Sequence, residues 1–401
     1  MRGVLRVDRV VVVVVTKQRP LARLPTAVIA LFFCWPLAAA ILPEDRADLL
    51  YHLYDGGGIQ ISGPSLLVRK QLGESTSFAG NYYVDSISSA SIDVVTSASQ
   101  YKEERTEKSL SVDYLHENST LSAGYTISDE NDYNADTVHL GVSQTVFGEL
   151  TTLSLGYSRG NNEVTKTLKT LGGKVRDPNF REEATTQNYS LGLSQIMTKD
   201  LLLSVAWETA TDEGYLNNPY RQVRYSDGLG GYRYTGEKYP LTRTSNALAL
   251  RSLYHLPYRA SINAEYRYFV DTWGITAQQL AVGYTHPWRD KWLFDIGYRF
   301  YSQGHADFYN DLFTSATAQN YLARDKELST FSSHSLGLGV SYTFVSPLKL
   351  VEKGSLNFSY HHLLFNYDDF RDLRDSSAPT GHEPLYQFSA NVFQFYLSLW
   401  Y

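Results

Sequence analysis

From about residue 65 to its end, the chain repeats stretches of roughly ten residues in which apolar side chains hold alternate positions and small or polar ones the positions between. A repeat of two is the period of a strand whose two faces meet different surroundings. Trp292, Phe294, Ile296, Tyr298 and Phe300 make one wholly apolar face, interleaved with Asp295, Gly297 and Arg299. Ile262, Ala264, Tyr266, Tyr268 and Val270 alternate with Asn263, Glu265 and Arg267. Leu201, Leu203, Val205 and Trp207 alternate with Ser204, Ala206 and Glu208, and Leu336, Leu338, Val340, Tyr342 and Phe344 with Gly337, Gly339, Ser341 and Thr343.

A soluble sandwich also alternates, but its outer face is usually rich in Lys and Glu. Here the second face is Gly, Ser, Thr and Asn with occasional charges, which suits a barrel lumen when the apolar face meets lipid. Past the N-terminal region no run of 18 uncharged apolar residues occurs, so membrane-spanning helices are excluded. In hydrocarbon the remaining way to satisfy every backbone N–H and C=O is a closed barrel. Tyr 31, Phe 18, Trp 6 and Gly 28 against Met 2 is a strand-rich composition, and 43% hydrophobic residues are too many for disorder. The expected fold is all-β: a single transmembrane antiparallel up-and-down β-barrel over residues 41–401.

Connections give an independent reading, because such barrels have short periplasmic turns and longer external loops. Short turns are expected near Gly73, Asn118, Phe147 to Glu149, Lys199, Pro257, Pro287 to Asp290 and Pro347. Longer, charged connections lie at about 86 to 106, 160 to 185, 212 to 241, 304 to 330 and 368 to 384, with a brief external link at Thr272 to Gly274. Phe393, Phe395, Leu397, Leu399 and Tyr401 fall on alternate residues to a terminal aromatic, which resembles the signal read by the barrel insertion machinery of bacterial outer membranes. Counting back from a periplasmic C-terminus gives fifteen clear strands. Even parity asks for one more, best placed at Asp48 to Tyr54 with a turn at Gly56-Gly57-Gly58, for about 16 strands; 14 is the alternative. Trp288, Trp292 and Trp400 are expected in a periplasmic aromatic girdle and Trp273 in an external one.

Residues 1–40 read as a cleaved secretory signal: six basic residues and Asp8, then an apolar stretch from Ala27 to Leu37, closing on Ala38-Ala39-Ala40. Cys34, the sole cysteine, follows Phe33 where a lipoprotein signal needs a small residue, so no lipid anchor is expected. Cleavage leaves 30 basic and 41 acidic residues and no thiol, which excludes disulfides and a cysteine nucleophile. An acidic balance without a basic cluster argues against nucleic acid. The expected location is the outer membrane of a Gram-negative bacterium, in contact with lipid and lipopolysaccharide.

Five segments, Asp55-Gly56-Gly57-Gly58, Gly63-Pro64-Ser65 leading to Val68-Arg69-Lys70, Asn81-Tyr82-Tyr83-Val84-Asp85, Ser88 to Ser99 and Tyr101 to Arg105, resemble a family of Gram-negative bacterial proteins known only as domain of unknown function thirty-five seventy. The resemblance implies an outer-membrane barrel and, weakly, an envelope setting linked to redox proteins. It implies no activity.

Candidate functional residues fall in two groups. Arg251, Glu265, Arg267, Asp295 and Arg299 are expected in the lumen, where they either set solute selectivity or form a salt-bridged wall; Asp113 and Glu208 make the interior slightly acidic. Ile92, Asp93, Lys102, Glu103, Glu104 and Arg105 belong to an expected loop that either constricts the lumen or docks a partner, or else is an ordinary solvated loop packed against the barrel wall. No histidine spacing suggests a metal site, and adjacent His361 and His362 point to opposite faces of a regular strand. Asp129, Glu130, Asp132 and Asp136 are a weak cation candidate. No H-x-S occurs for a barrel phospholipase, and Asp368, Asp369 and His382 make only a faint protease-like grouping, so neither an enzyme nor a cofactor is expected. The favoured function is a channel or transport barrel for small solutes or ions; the alternative is a plugged barrel docking an envelope partner.

Overall fold

The computed structural model describes residues 42–89, 101–170, 173–347, 349–374 and 377–401. The signal segment, Cys34 and the loop candidates Ile92 and Asp93 lie outside them. Strands β1 (Arg46–Gly56), β2 (Ile59–Leu72), β3 (Thr76–Ser89), β4 (Tyr101–His116), β5 (Ser119–Asp129), β6 (Tyr133–Val146), β7 (Thr151–Thr170), β8 (Gly173–Thr198) and β9 (Leu201–Gly214) pair antiparallel in chain order. A separate hairpin, β10 (Gln222–Ser226) and β11 (Tyr232–Gly236), stands outside the wall. Then β12 (Thr242–His255), β13 (Ser261–Asp271), β14 (Thr276–Trp288), β15 (Trp292–Gln303), β16 (Phe331–Val345), β17 (Lys353–Arg371) and β18 (Leu385–Trp400) complete it. Pairing of β1 with β18, from Arg46 opposite Trp400 to Gly56 opposite Ala390, closes a barrel of 16 strands.

The apolar face points outward throughout. Leu338 and Phe395 stand half exposed on the exterior, while inward Ser355, Ser398 and Gln394 are buried. A surface of exposed leucines and aromatics around the whole circumference is stable only in lipid, and this is an outer-membrane-type β-barrel. Both termini and the short turns lie at one end, periplasmic by the rule for such barrels. The Asp48 to Tyr54 candidate is the core of β1, and its turn rests on Gly57 and Gly58 at φ 60° and 77°, the left-handed pair a two-residue hairpin requires. Trp288 and Trp292 are paired and exposed at the periplasmic edge, as a girdle requires.

Four expectations need correction. Residues 160–185 are mostly strand: β7 and β8 continue as a long hairpin, with Thr165 still opposite Arg181. Beyond the hydrocarbon both faces of a strand meet water, so the alternation that marks the membrane portion fades there. The expected loop from 86 to 106 is likewise shorter, because β3 runs to Ser89 and β4 begins at Tyr101. Lys102, Glu103, Glu104 and Arg105 are strand residues whose backbones pair with Ser88, Ile87, Ser86 and Asp85. Finally, the connection at 212–241 contains the β10–β11 hairpin, and Trp273 is not in a lipid-facing girdle: it is 2% exposed within an external core, its indole Nε1 donating to the Thr242 carbonyl at 2.9 Å.

Candidate functional site: a charged lumen beneath an external cap

Strand register places the five lumen candidates on one face. Arg251 lies opposite Glu265, Glu265 opposite Ala281 and Ala281 opposite Arg299, and directly paired residues of a sheet share a face. Their chain neighbours Leu250, Tyr266 and Tyr298 point outward and stay more than two-fifths exposed, so this row points inward. Arg267 and Asp295 have the same parity.

Four of these five side chains are paired. Arg251 Nε donates to Glu265 Oε2 at 2.5 Å, Gln279 Nε2 to Glu265 Oε1 at 3.0 Å and Arg267 Nη2 to Glu208 Oε2 at 2.9 Å. Asp295 Oδ1 accepts from Thr285 Oγ1 at 2.6 Å, and on the far wall Asp113 Oδ1 accepts from Ser122 Oγ at 2.7 Å. Arg251 and Glu265 keep 30% and 21% of their side-chain surface exposed, so the pair is held in place yet open to lumen water. His361 shares the inward face with Val392, while His362 accompanies outward Leu336 and meets Asn391 Oδ1 through Nδ1 at 2.9 Å.

A second constellation was not singled out in the sequence. Inward His52 on β1 and Asp85 on β3 meet across β2, His52 Nε2 lying 2.8 Å from Asp85 Oδ1. The residue between them is Gly63, opposite His52. Tyr83 stacks on the His52 ring at 5.1 Å, Arg105 Nη1 lies 3.7 Å from Asp85, and Arg105 also pairs with Glu107 and, at 3.8 Å, with Glu130. The signal was present: Gly63, Tyr83, Asp85 and Arg105 all lie in the segments that carry the family resemblance, but sequence alone does not place four separate segments side by side. Arg105 thus belongs to this wall cluster, while Glu104, next to it, is exposed. Of the acidic candidates, Glu130 is committed to Arg105, Asp132 accepts from Thr167 Oγ1 and, at 2.8 Å, from the Tyr220 hydroxyl, and Asp136 accepts from Asn161 at 3.2 Å. Among the described residues no group of three His, Cys, Asp or Glu could hold a metal ion.

Above the lumen, four external connections pack into a cap. The β10–β11 segment bridges to the β15–β16 connection at Tyr225 with Phe313 and at Lys238 with Leu322, burying Val223, Phe313 and Leu322. Tyr239, Trp273 and Phe308 form an aromatic knot with ring centroids 5.1–5.5 Å apart, continuous with Leu328, Tyr367, Phe370 and Tyr386. At the centre is Arg224, fully buried. Its guanidinium donates to the carboxylates of Asp311 and Glu383, and Nε donates to the Asp311 carbonyl at 2.9 Å. Arg324 Nε adds a bond to Asp311 Oδ1 at 3.0 Å, and the Arg371 amide another at 3.2 Å. Burial opposes the charge on Arg224, but the two carboxylates outweigh it and hold the guanidinium pKa above its ordinary value. Since Tyr220 reaches the β5–β6 turn on one side and Glu383 lies in the β17–β18 connection on the other, the cap spans widely separated parts of the rim.

The family model described as "Protein of unknown function (DUF3570)" matches residues 96–362, about two thirds of the chain. The chain belongs to this family. No curated protein matches it. Among solved structures, the DUF3570 chain is similar to a bacterial polysaccharide outer-membrane secretin, at 10% identity and TM-score 0.48, over 90% of this chain and 100% of that one. It is also similar to a Pseudomonas aeruginosa FadL homologue, at 13% identity and TM-score 0.44 over 91% and 92%. A third is the Pseudomonas putida toluene transporter TodX, at 10% and 0.39 over 91% of each chain.

Proposed function

We propose that this DUF3570 protein is an outer-membrane channel for small polar solutes or ions, with its external entrance narrowed by the packed cap. The observation that carries this reading is the lumen wall. Arg251, Glu265, Arg267 and Glu208 keep exposed surface inside a barrel of 16 strands, a size at which an aqueous channel fits. A barrel needing only to close on itself could fill such positions with small neutral residues. Fixed charges facing water instead create a local field that sorts ions.

Refolded protein in a planar bilayer is expected to give discrete conductance steps. Glu265→Lys would leave Arg251, Arg267 and Arg299 facing a fourth cation, and the reversal potential in a salt gradient should shift toward anions. A folded barrel, identified by heat-modifiable gel migration, that stays silent even with its cap disrupted would overturn the channel reading. It would favour the plugged, partner-docking alternative.

A further inference from the structure

The lipid-facing surface is not uniform. Across β14 to β18 it sinks into a groove of about 670 Å³, walled by Tyr284, Phe294, Phe358, Tyr360 and Phe393 with Leu338 among its lining residues. That volume is within the roughly 300–1,000 Å³ of small-ligand sites. A smaller groove of about 330 Å³, lined by Val112, Tyr114, Leu121 and Leu140, lies across β4 to β6.

The two grooves stand over turns of opposite charge. Below β2 to β7, the turns near Gly73, Asn118 and Gly148 present exposed Glu74, Glu117 and Glu149 without a cation. Below β14 to β18, the turns present exposed Arg289, Lys291 and Lys349 against Asp290 and Glu352, and Arg259 of the neighbouring turn pairs with Asp290 at 3.5 Å. His286 and its partner Phe294 mark the periplasmic end of the large groove, with Trp288 opposite Trp292 next, then the Arg289–Lys291 turn. At strand rise, Arg289 lies about 10 Å beyond His286, the step from an acyl chain to its headgroup. Arg289 is held over the Trp288 ring at 4.6 Å, at the interface depth where aromatic girdles sit. The Tyr284 hydroxyl, 2.9 Å from His286 Nδ1, supplies a polar group near the groove's lower end.

We propose that the large groove is a binding site for an anionic glycerophospholipid of the inner leaflet. One acyl chain lies against Leu338 and Phe358, and the phosphate rests on Arg289 and Lys291 with Arg259 beside them. The headgroup charge is argued from the cations and the acyl chain from the aromatic walls. The small groove, over its acidic turns, offers no such pairing.

The test is native mass spectrometry of the refolded full chain in detergent with added palmitoyl-oleoyl phosphatidylglycerol, compared with the phosphatidylcholine of the same chains. The phosphatidylglycerol adduct should persist to higher activation. Arg289→Gln and Lys291→Gln should each weaken it roughly fivefold, and Leu338→Trp should abolish it by filling the groove, with heat-modifiable migration unchanged in all three. Glu149→Gln below the small groove should change nothing. Equal retention of both lipids, or indifference to the Arg289 and Lys291 changes, would overturn the proposal. So would a lipid-free dimer lost in Leu338→Trp, which would make the groove an interface between two copies.

Discussion

Replacing Arg224 with alanine is expected to unfold the external cap while the barrel stays closed. The substitution leaves Asp311 and Glu383 buried, at 8% and 4% exposure, without the cation that bridged them. Breaking a buried ion pair from one side costs about 3–5 kcal/mol, because an uncompensated charge is left behind. Asp311 keeps Arg324 as a partner and the aromatic knot around Trp273 remains, so the uncompensated charge falls on Glu383 and the loosening centres on the β10–β11 side of the cap. On that side β10 and β11 form a two-stranded sheet outside the wall, joined to the β15–β16 connection by the Tyr225–Phe313 bridge over a small core of Val223, Phe313 and Leu322. The wall does not depend on it, since β9 pairs directly with β12 along the register from Glu213–Thr242 to Leu201–Tyr254. Proteolysis within 215–241 or 304–330 should therefore become fast while the folded barrel band persists, and bilayer conductance should rise as the entrance widens. Arg224→Lys should be intermediate, because one ammonium cannot reproduce the forked contacts to two carboxylates. Acid should act in the same direction. Burial by itself raises the Glu383 carboxyl, but the hydrogen bond and charge of Arg224, with backbone N–H donors that include Gly381, together outweigh it and hold the pKa below the ordinary value. A depressed carboxylate contributes stability that is present above its unfolded pKa and lost as pH falls through the folded one. The wild-type cap should thus loosen below about pH 4. Protease resistance of the cap in Arg224→Ala equal to that of the wild type would remove the ion-pair account.

How much of this was legible beforehand depends on where each residue meets lipid. Between Trp292 and Phe300 every second side chain faces hydrocarbon, so the alternation is strict and the strand was readable. The same argument reached Arg251, Glu265 and Arg299, because parity alone assigns them to the inside. It failed beyond the membrane: Asn161, Asn162 and Glu163 are strand residues of β7, but with exposed Asn161 and buried Asn162 alike polar they carry no apolar period. The cap was hidden for a different reason. Arg224, Asp311 and Glu383 are separated by up to 159 residues, and nothing local to any of them indicates that they converge. Trp273 was misplaced by treating a strand-end tryptophan as a lipid anchor, where Tyr239 and Phe308 from other connections enclose it.

Gly63→Ala is expected to be the most damaging single-methyl change in the wall. A Cβ at this position would lie 1.8 Å from the Val84 carbonyl oxygen and 2.8 Å from its carbon, distances that only a backbone shift can relieve. The close approach has a local cause. Pro64 has no N–H to give the ladder, and the register of β2 with β3 passes from Ser62–Ser86 to Ser65–Tyr83 without pairing the residues between. Val84 can therefore turn its carbonyl toward Gly63. The same Cβ would lie 3.4 Å from the amide nitrogen of Asp85, the residue that holds His52, so one methyl wedges the seam right beside that buried contact. A loss of about 3 kcal/mol or more in the urea unfolding of the detergent-refolded barrel follows from the backbone shift this clash forces. His52→Ala, which removes the contact and leaves the seam, should cost about 1–3 kcal/mol. Gly80→Ala on the neighbouring β3 is the matched control, because a Cβ there meets nothing within 4 Å and the change should be neutral or slightly stabilising. If Gly63→Ala and Gly80→Ala unfold at the same urea concentration, the pinch between β2 and β3 is not a constraint on barrel closure. If Gly63→Ala falls while His52→Ala does not, the seam alone accounts for the glycine and the His52–Asp85 contact adds nothing to stability.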